Sequence, residues 1–172
     1  MQEIIIIGTL HLGLTPNDEL RTILEDISPE RLFIEVTEKD LSHNTLGNYP
    51  PEMIFASQWA RQSNVTCIGF DAAIYTLKEG VSEKDQQQVL SIQKNILSNI
   101  TWKEMNQRKN WTVLDASGEI LIDQEQWNMR ENALVSNVKA ALLPKGRNVI
   151  ITGSGHLAAF ERAFPGIKMP LS

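Results

Sequence analysis

Two short apolar runs each end in a glycine followed three residues later by a histidine, and no other feature constrains the fold of this chain as tightly. Ile4 to Ile7 leads into Gly8-Thr9-Leu10-His11, and Val149 to Thr152 leads into Gly153-Ser154-Gly155-His156. The 172 residues hold only 3 histidines and 10 glycines, so chance placement rarely supplies that spacing twice. A short apolar run of this kind reads as a strand covered on both faces, as in parallel sheets. Ligands of such sheets sit in the crevice beyond the carboxyl ends of the strands, so both imidazoles are expected at that edge.

Between the two runs, strand and helix patterns alternate. Thr15 reads as the N-cap of a helix with Pro16 in its first position and Asp18 in its first turn, ending near Ile27. Arg31 to Val36 reads as a second strand, Thr37 to Pro51 as a polar connection, 51–62 as a helix and 65–70 as a third strand. Ser82 and Asp85 form a capping-box pattern ahead of an apolar stripe (Val89, Ile92, Ile96, Ile100) that should pack on the sheet. Residues 111–122 read as a small hairpin turning at Asp115-Ala116-Ser117-Gly118. Asp123 then caps a helix running to about Leu142, the last strand follows at 147–152, and a helix at 157–163 comes after His156. The expected fold is one α/β domain over 1–172, with a mainly parallel central sheet and helices on both faces.

Composition narrows the function classes. A formal net charge of −5 without a basic run argues against nucleic acid and acidic membrane surfaces as partners, and leaves a small-molecule or peptide substrate. The start of the chain shows no basic leader, and no apolar stretch reaches the roughly 18 residues of a membrane span, so a cytoplasmic protein is expected. The single cysteine, Cys67, lies inside the apolar run Val65 to Phe70 and reads as an inert core thiol.

Candidate chemistry lies at the strand ends. Glu35 falls within a strand expected to be covered on both faces, where an unpaired carboxylate costs several kcal/mol and therefore needs a partner. An exposed edge position or a structural ion pair is the plainer alternative. Asp71 directly follows the third strand and joins His11, Glu35 and His156 at carboxyl ends, although a turn or cap role is as natural there. Arg130 sits early in the helix capped by Asp123 and, taken alone, reads as a surface residue. His43 lies in a polar connection without a matched acid and is left aside.

With these residues in place, the chain resembles a superfamily containing TraB, the Tiki proteins, ChaN-type haem-uptake proteins and erythromycin esterase. The resemblance rests on Gly8-Thr9-Leu10-His11, Ile34-Glu35-Val36, Ile68-Gly69-Phe70-Asp71, Met129-Arg130-Glu131-Asn132 and Gly153-Ser154-Gly155-His156. It implies an α/β core with His11, Glu35, Arg130 and His156 around one pocket, Asp71 as a neighbour, and hydrolysis of an ester or amide bond. The chain differs in its shortness, lacking a membrane-spanning tail of the TraB kind and the large helical insertion of erythromycin esterase.

Two chemistries fit that implication. In one, His11, Glu35 and His156 hold a divalent ion such as Mn²⁺, Co²⁺ or Zn²⁺ whose water attacks. In the other, Glu35 orients an imidazole that takes a proton from water while Arg130 stabilises the oxyanion. Glu35→Gln should then lower turnover far more than stability. A haem or small-molecule binding module of the ChaN type is the alternative from another class; its need for a broad apolar face is poorly met with aromatics at 6% of residues.

Overall fold

Successive strand residues point to opposite faces of a sheet, so continuous apolar runs require cover on both. The computed structural model, which describes all residues from Met1 to Ser172, meets that requirement. Strands β1 (Gln2–Thr9), β2 (Arg31–Ile34), β3 (Thr66–Gly69) and β4 (Gly146–Gly153) form a four-stranded sheet in the order β1-β4-β2-β3. All pairings are parallel. The helices are α1 (Asn17–Ile27), α2 (Glu38–His43), α3 (Pro51–Gln62), α4 (Glu83–Leu97), the single turn α5 (Asp115–Gly118), α6 (Gln124–Ala141) and α7 (Leu157–Ala163).

On one face, Ile5, Ile7, Leu32, Ile34, Val149 and Ile151 pack with Leu20 and Leu24 of α1 and with Met53, Ala56, Trp59 and Ala60 of α3. On the other, Ile6, Phe33 and Ile150 pack with Leu134 and Val138 of α6 and with Leu157 and Phe160 of α7. Each large side chain removed fully from water contributes about 1.5 to 3 kcal/mol before entropy is counted. The chain therefore leaves β1 and β2 towards one face and β4 towards the other. Because β4 lies between β1 and β2, its carboxyl end is flanked by diverging connections, the topological switch where a crevice opens.

Strand β1 lies at the sheet edge, and its unpaired backbone is covered. Asn106 accepts from the Gly8 amide at 2.7 Å and donates to the Gly8 carbonyl at 2.9 Å, while the Ile6 amide donates to the Lys168 carbonyl at 2.9 Å. Gly8 is needed for this fit. A Cβ there would stand 2.7 Å from Leu157 Cδ1 and 3.0 Å from Asn106 Oδ1.

Several local expectations are corrected. Thr15 does not cap α1, whose first residue follows Pro16; its hydroxyl instead bonds both the amide and the carbonyl of Leu10 at 2.9 Å, closing the loop that carries His11. The polar connection after β2 contains α2, because Thr37 accepts from the Asp40 amide and starts a turn. The capping box of α4 is present, but its stripe does not lie on the sheet: Ile92 is exposed, and the helix packs beside α5 with only its end reaching the core. Residues 111–122 do not form a hairpin. Turns and α5 occupy the stretch, and Ile122 makes one isolated bridge to Leu77, since Asp115 to Gly118 close a helical turn rather than reversing two strands.

Candidate active site

A cavity of about 430 Å³ opens at the carboxyl edge of the sheet, and His11, Glu35, Arg130 and His156 all line it. They come from the turn after β1, the residue after β2, the first half of α6 and the 3₁₀ turn after β4. Asp71, after β3, does not line the cavity but sits behind Arg130. The guanidinium binds both Asp71 oxygens through Nε and Nη2 at 3.0 Å, and Nη2 also donates to Glu35 Oε1 at 3.0 Å. That fork leaves the Nη1 hydrogens of Arg130 as the donors free to meet a ligand.

Glu35 is buried and fully engaged. Its Oε2 accepts from the Thr152 hydroxyl at 2.6 Å and from the Gly153 amide at 2.7 Å, and its Oε1 faces Arg130 and His156. Burial favours the neutral acid, but the charges of His156, His11 and Arg130 hold this carboxyl far below the usual range. A strand-end glutamate in this setting is anionic.

His156 is 3% exposed, with Nδ1 at 3.3 Å from Glu131 Oε1 and Nε2 at 3.4 Å from Glu35 Oε1. Burial alone would lower its pKa. The Glu35 charge and the contacts to Glu131 and Glu35 outweigh burial and raise the pKa to about 9, so the ring is an imidazolium at neutral pH. Trp127 of α6 stacks on it with ring centroids 4.6 Å apart.

His11 differs in both exposure and partner. Its side chain is 42% exposed, and its Nδ1 lies 2.6 Å from Oε1 of Glu52, whose side chain is fully buried. The backbone beyond it is specialised. Leu12 and Gly13 take φ of 67° and 73°, the left-handed region that a leucine rarely enters, and reverse the chain just past His11, whose ring lies over the end of β4. Gly153 makes that possible, since a Cβ there would stand 2.9 Å from His11 Nε2. The two glycine-histidine motifs therefore interlock. The second glycine makes room for the first histidine, and the first glycine makes room for Leu157, which directly follows the second histidine.

Glu52 was not anticipated from the sequence. It follows Pro51 in the first turn of α3, where an acid reads simply as a complement to the helix dipole. The Thr9 hydroxyl also contacts its Oε1 at 3.2 Å, while its Oε2 is buried without a hydrogen-bond partner. Only its burial separates it from an ordinary first-turn glutamate, and burial is not written in the local pattern. Arg130 likewise proves largely buried instead of surface-exposed. His43 stays exposed and bonds its own helix, and burial raises the Cys67 thiol to about 12.

The arrangement poorly suits a caged ion. Both oxygens of Glu35 and both ring nitrogens of His156 already face protein partners, and no group of three or more histidine, cysteine, aspartate or glutamate side chains is gathered as a metal centre. What it offers is one half-open imidazole on a buried carboxylate and two fixed cations beside it. No helix is long and apolar enough to cross a membrane. In comparisons with known proteins, the chain matches no family, no curated protein and no solved structure.

Proposed function

We propose that this chain hydrolyses an ester or amide bond in a small-molecule or peptide substrate, with His11 as general base and Glu52 orienting it. One observation carries the reading: a half-exposed imidazole, bound at Nδ1 by a fully buried carboxylate, opens onto the cavity that Arg130 and His156 also line. With its Nδ1 proton held by Glu52, neutral His11 presents a lone pair at Nε2. That nitrogen takes a proton from water, the hydroxide adds to the substrate carbonyl, and the Nη1 hydrogens of Arg130 meet the oxyanion. Collapse expels the leaving group, which takes the proton back from His11. The Glu52 charge supports the imidazolium formed in between, as the triad aspartate does for its histidine.

Glu35, in the cavity wall, and Asp71, behind Arg130, support this machinery. They hold Arg130 in a planar fork, and Glu35 also keeps His156 charged. The likeness to the TraB, Tiki, ChaN and erythromycin esterase superfamily supports the same reading through His11, Glu35, Arg130 and His156, and we assign Glu52 the orienting role first expected of Glu35. The test is turnover of an ester and peptide panel by purified protein, with and without chelator, and after reloading with Mn²⁺, Co²⁺ or Zn²⁺. Turnover that survives chelation and is abolished by His11→Ala is expected. Activity that persists in His11→Ala, or no turnover under any of these conditions, overturns it.

A further inference from the structure

We propose that Trp127 is a positioning residue that fixes the plane of the His156 imidazole. The catalytic consequence rests on the hydrolase reading; the contact itself does not. The indole and imidazole planes lie 16° from parallel with centroids 4.6 Å apart. Glu131 Oε1 lies 3.3 Å from one ring nitrogen and Glu35 Oε1 lies 3.4 Å from the other. Both contacts are long for charge-assisted bonds, and two partners at the ring's two nitrogens leave it free to tilt about the line joining them. A flat aromatic face lying against the ring resists that tilt.

The helix supplies this geometry in a single stretch. Trp127 and Glu131 are four residues apart on α6 and so lie on one side of it, giving His156 its face and its Nδ1 partner together, with Arg130 between them. An imidazolium over an indole is also attracted by the ring quadrupole, which favours a flat stack at a desolvated site. The turn carrying His156 runs beside the indole: a Cβ added at Gly155 would stand 3.7 Å from Trp127 Cη2.

The test compares Trp127→Phe, which keeps a flat face, with Trp127→Leu, which keeps apolar volume without one. In the wild type and Trp127→Phe, NMR should show His156 ring protons shifted upfield by the aromatic ring current and slowly exchanging imidazole N–H signals. In Trp127→Leu both signatures should be lost while the amide spectrum stays folded. On a substrate found as above, Trp127→Leu should lower kcat by no more than His156→Gln does, with little change in KM, and Trp127→Phe should restore most of it. Added to His156→Gln, Trp127→Leu should cost little more. His156 signals that do not differ between wild type and Trp127→Leu overturn the proposal even if hydrolysis is never found. So does a raised KM at unchanged kcat, which marks a substrate contact, or a full Trp127→Leu penalty in the His156→Gln background.

Discussion

Replacing Glu52 by glutamine tests the base directly, because it keeps the buried shape and removes the charge behind His11. The 2.6 Å contact from His11 Nδ1 to Glu52 Oε1 is a charge-assisted hydrogen bond when the ring is protonated, a class that contributes about 1.5 to 3 kcal/mol. With 42% of the His11 side chain exposed, solvent screening places the loss at the low end, about 1.5 kcal/mol, which is about tenfold in rate. A second cost adds to it. An amide can offer Nδ1 either a donor or an acceptor, so part of the population carries the wrong tautomer, and the matching change in Ser-His-Asp triads costs about 10⁴. We therefore expect kcat/KM to fall between about tenfold and about 10⁴-fold. The pH profile gives a second, independent reading. Burial lowers the His11 pKa, but Glu52 and Glu35 outweigh it and leave it above 6.5, so wild-type activity should rise with pH through a midpoint above 6.5. In Glu52→Gln that acid limb should move to lower pH. The assay is kcat/KM against pH for the best ester in the panel, with thermal unfolding as a control for folding. Unchanged kcat/KM, or a fall with the acid limb left in place, would refute the role given to Glu52.

Other consequences follow from the same contacts. Gly153→Ala should cut turnover with little loss of stability, because its Cβ meets His11 Nε2 at 2.9 Å, the half-exposed end of a side chain rather than backbone; Gly8→Ala should instead lower Tm by about 5 °C, since overpacking against Leu157 costs about 1 to 3 kcal/mol. A melting series in which Gly153→Ala is the less stable of the two contradicts this. Glu35→Gln should now lose stability as well as turnover, by about 1 to 3 kcal/mol in chemical denaturation, because it removes one of the two carboxylates facing each buried cation, leaving Arg130 with Asp71 and His156 with Glu131. Stability should also depend on pH at both ends: the raised pKa of His156 contributes below 6.5 and is lost as pH rises through about 9, whereas the lowered pKa of Glu35 contributes above 4.5 and is lost as pH falls further. Tm flat from pH 6 to pH 10 would count against the charged His156. Haem added to the protein should give no Soret band that depends on His11 or His156, and a band lost in His156→Ala would favour the binding-module reading.

The sequence by itself determined the layered sheet and the edge at which chemistry gathers. Unbroken apolar runs in β1 and β4 demand cover on both faces, helix-length spacers between strands demand parallel crossovers, and residues that end such strands share one edge whatever their partners. His11, Glu35, Asp71 and His156 could be placed from that rule alone. The rule stops where contacts depend on how one element lies over another. Glu52 meets His11 across 41 positions and Arg130 meets Glu35 across 95, and neither pairing leaves a local trace. The stripe of α4 misled for the same reason: period 3.6 says that a helix has an apolar side, not which neighbour receives it. Only the tertiary structure divided the labour between the two histidines. Burial and neighbouring charge made one a half-open imidazole on a buried carboxylate and the other an enclosed cation, and both quantities are properties of packing rather than of residue order.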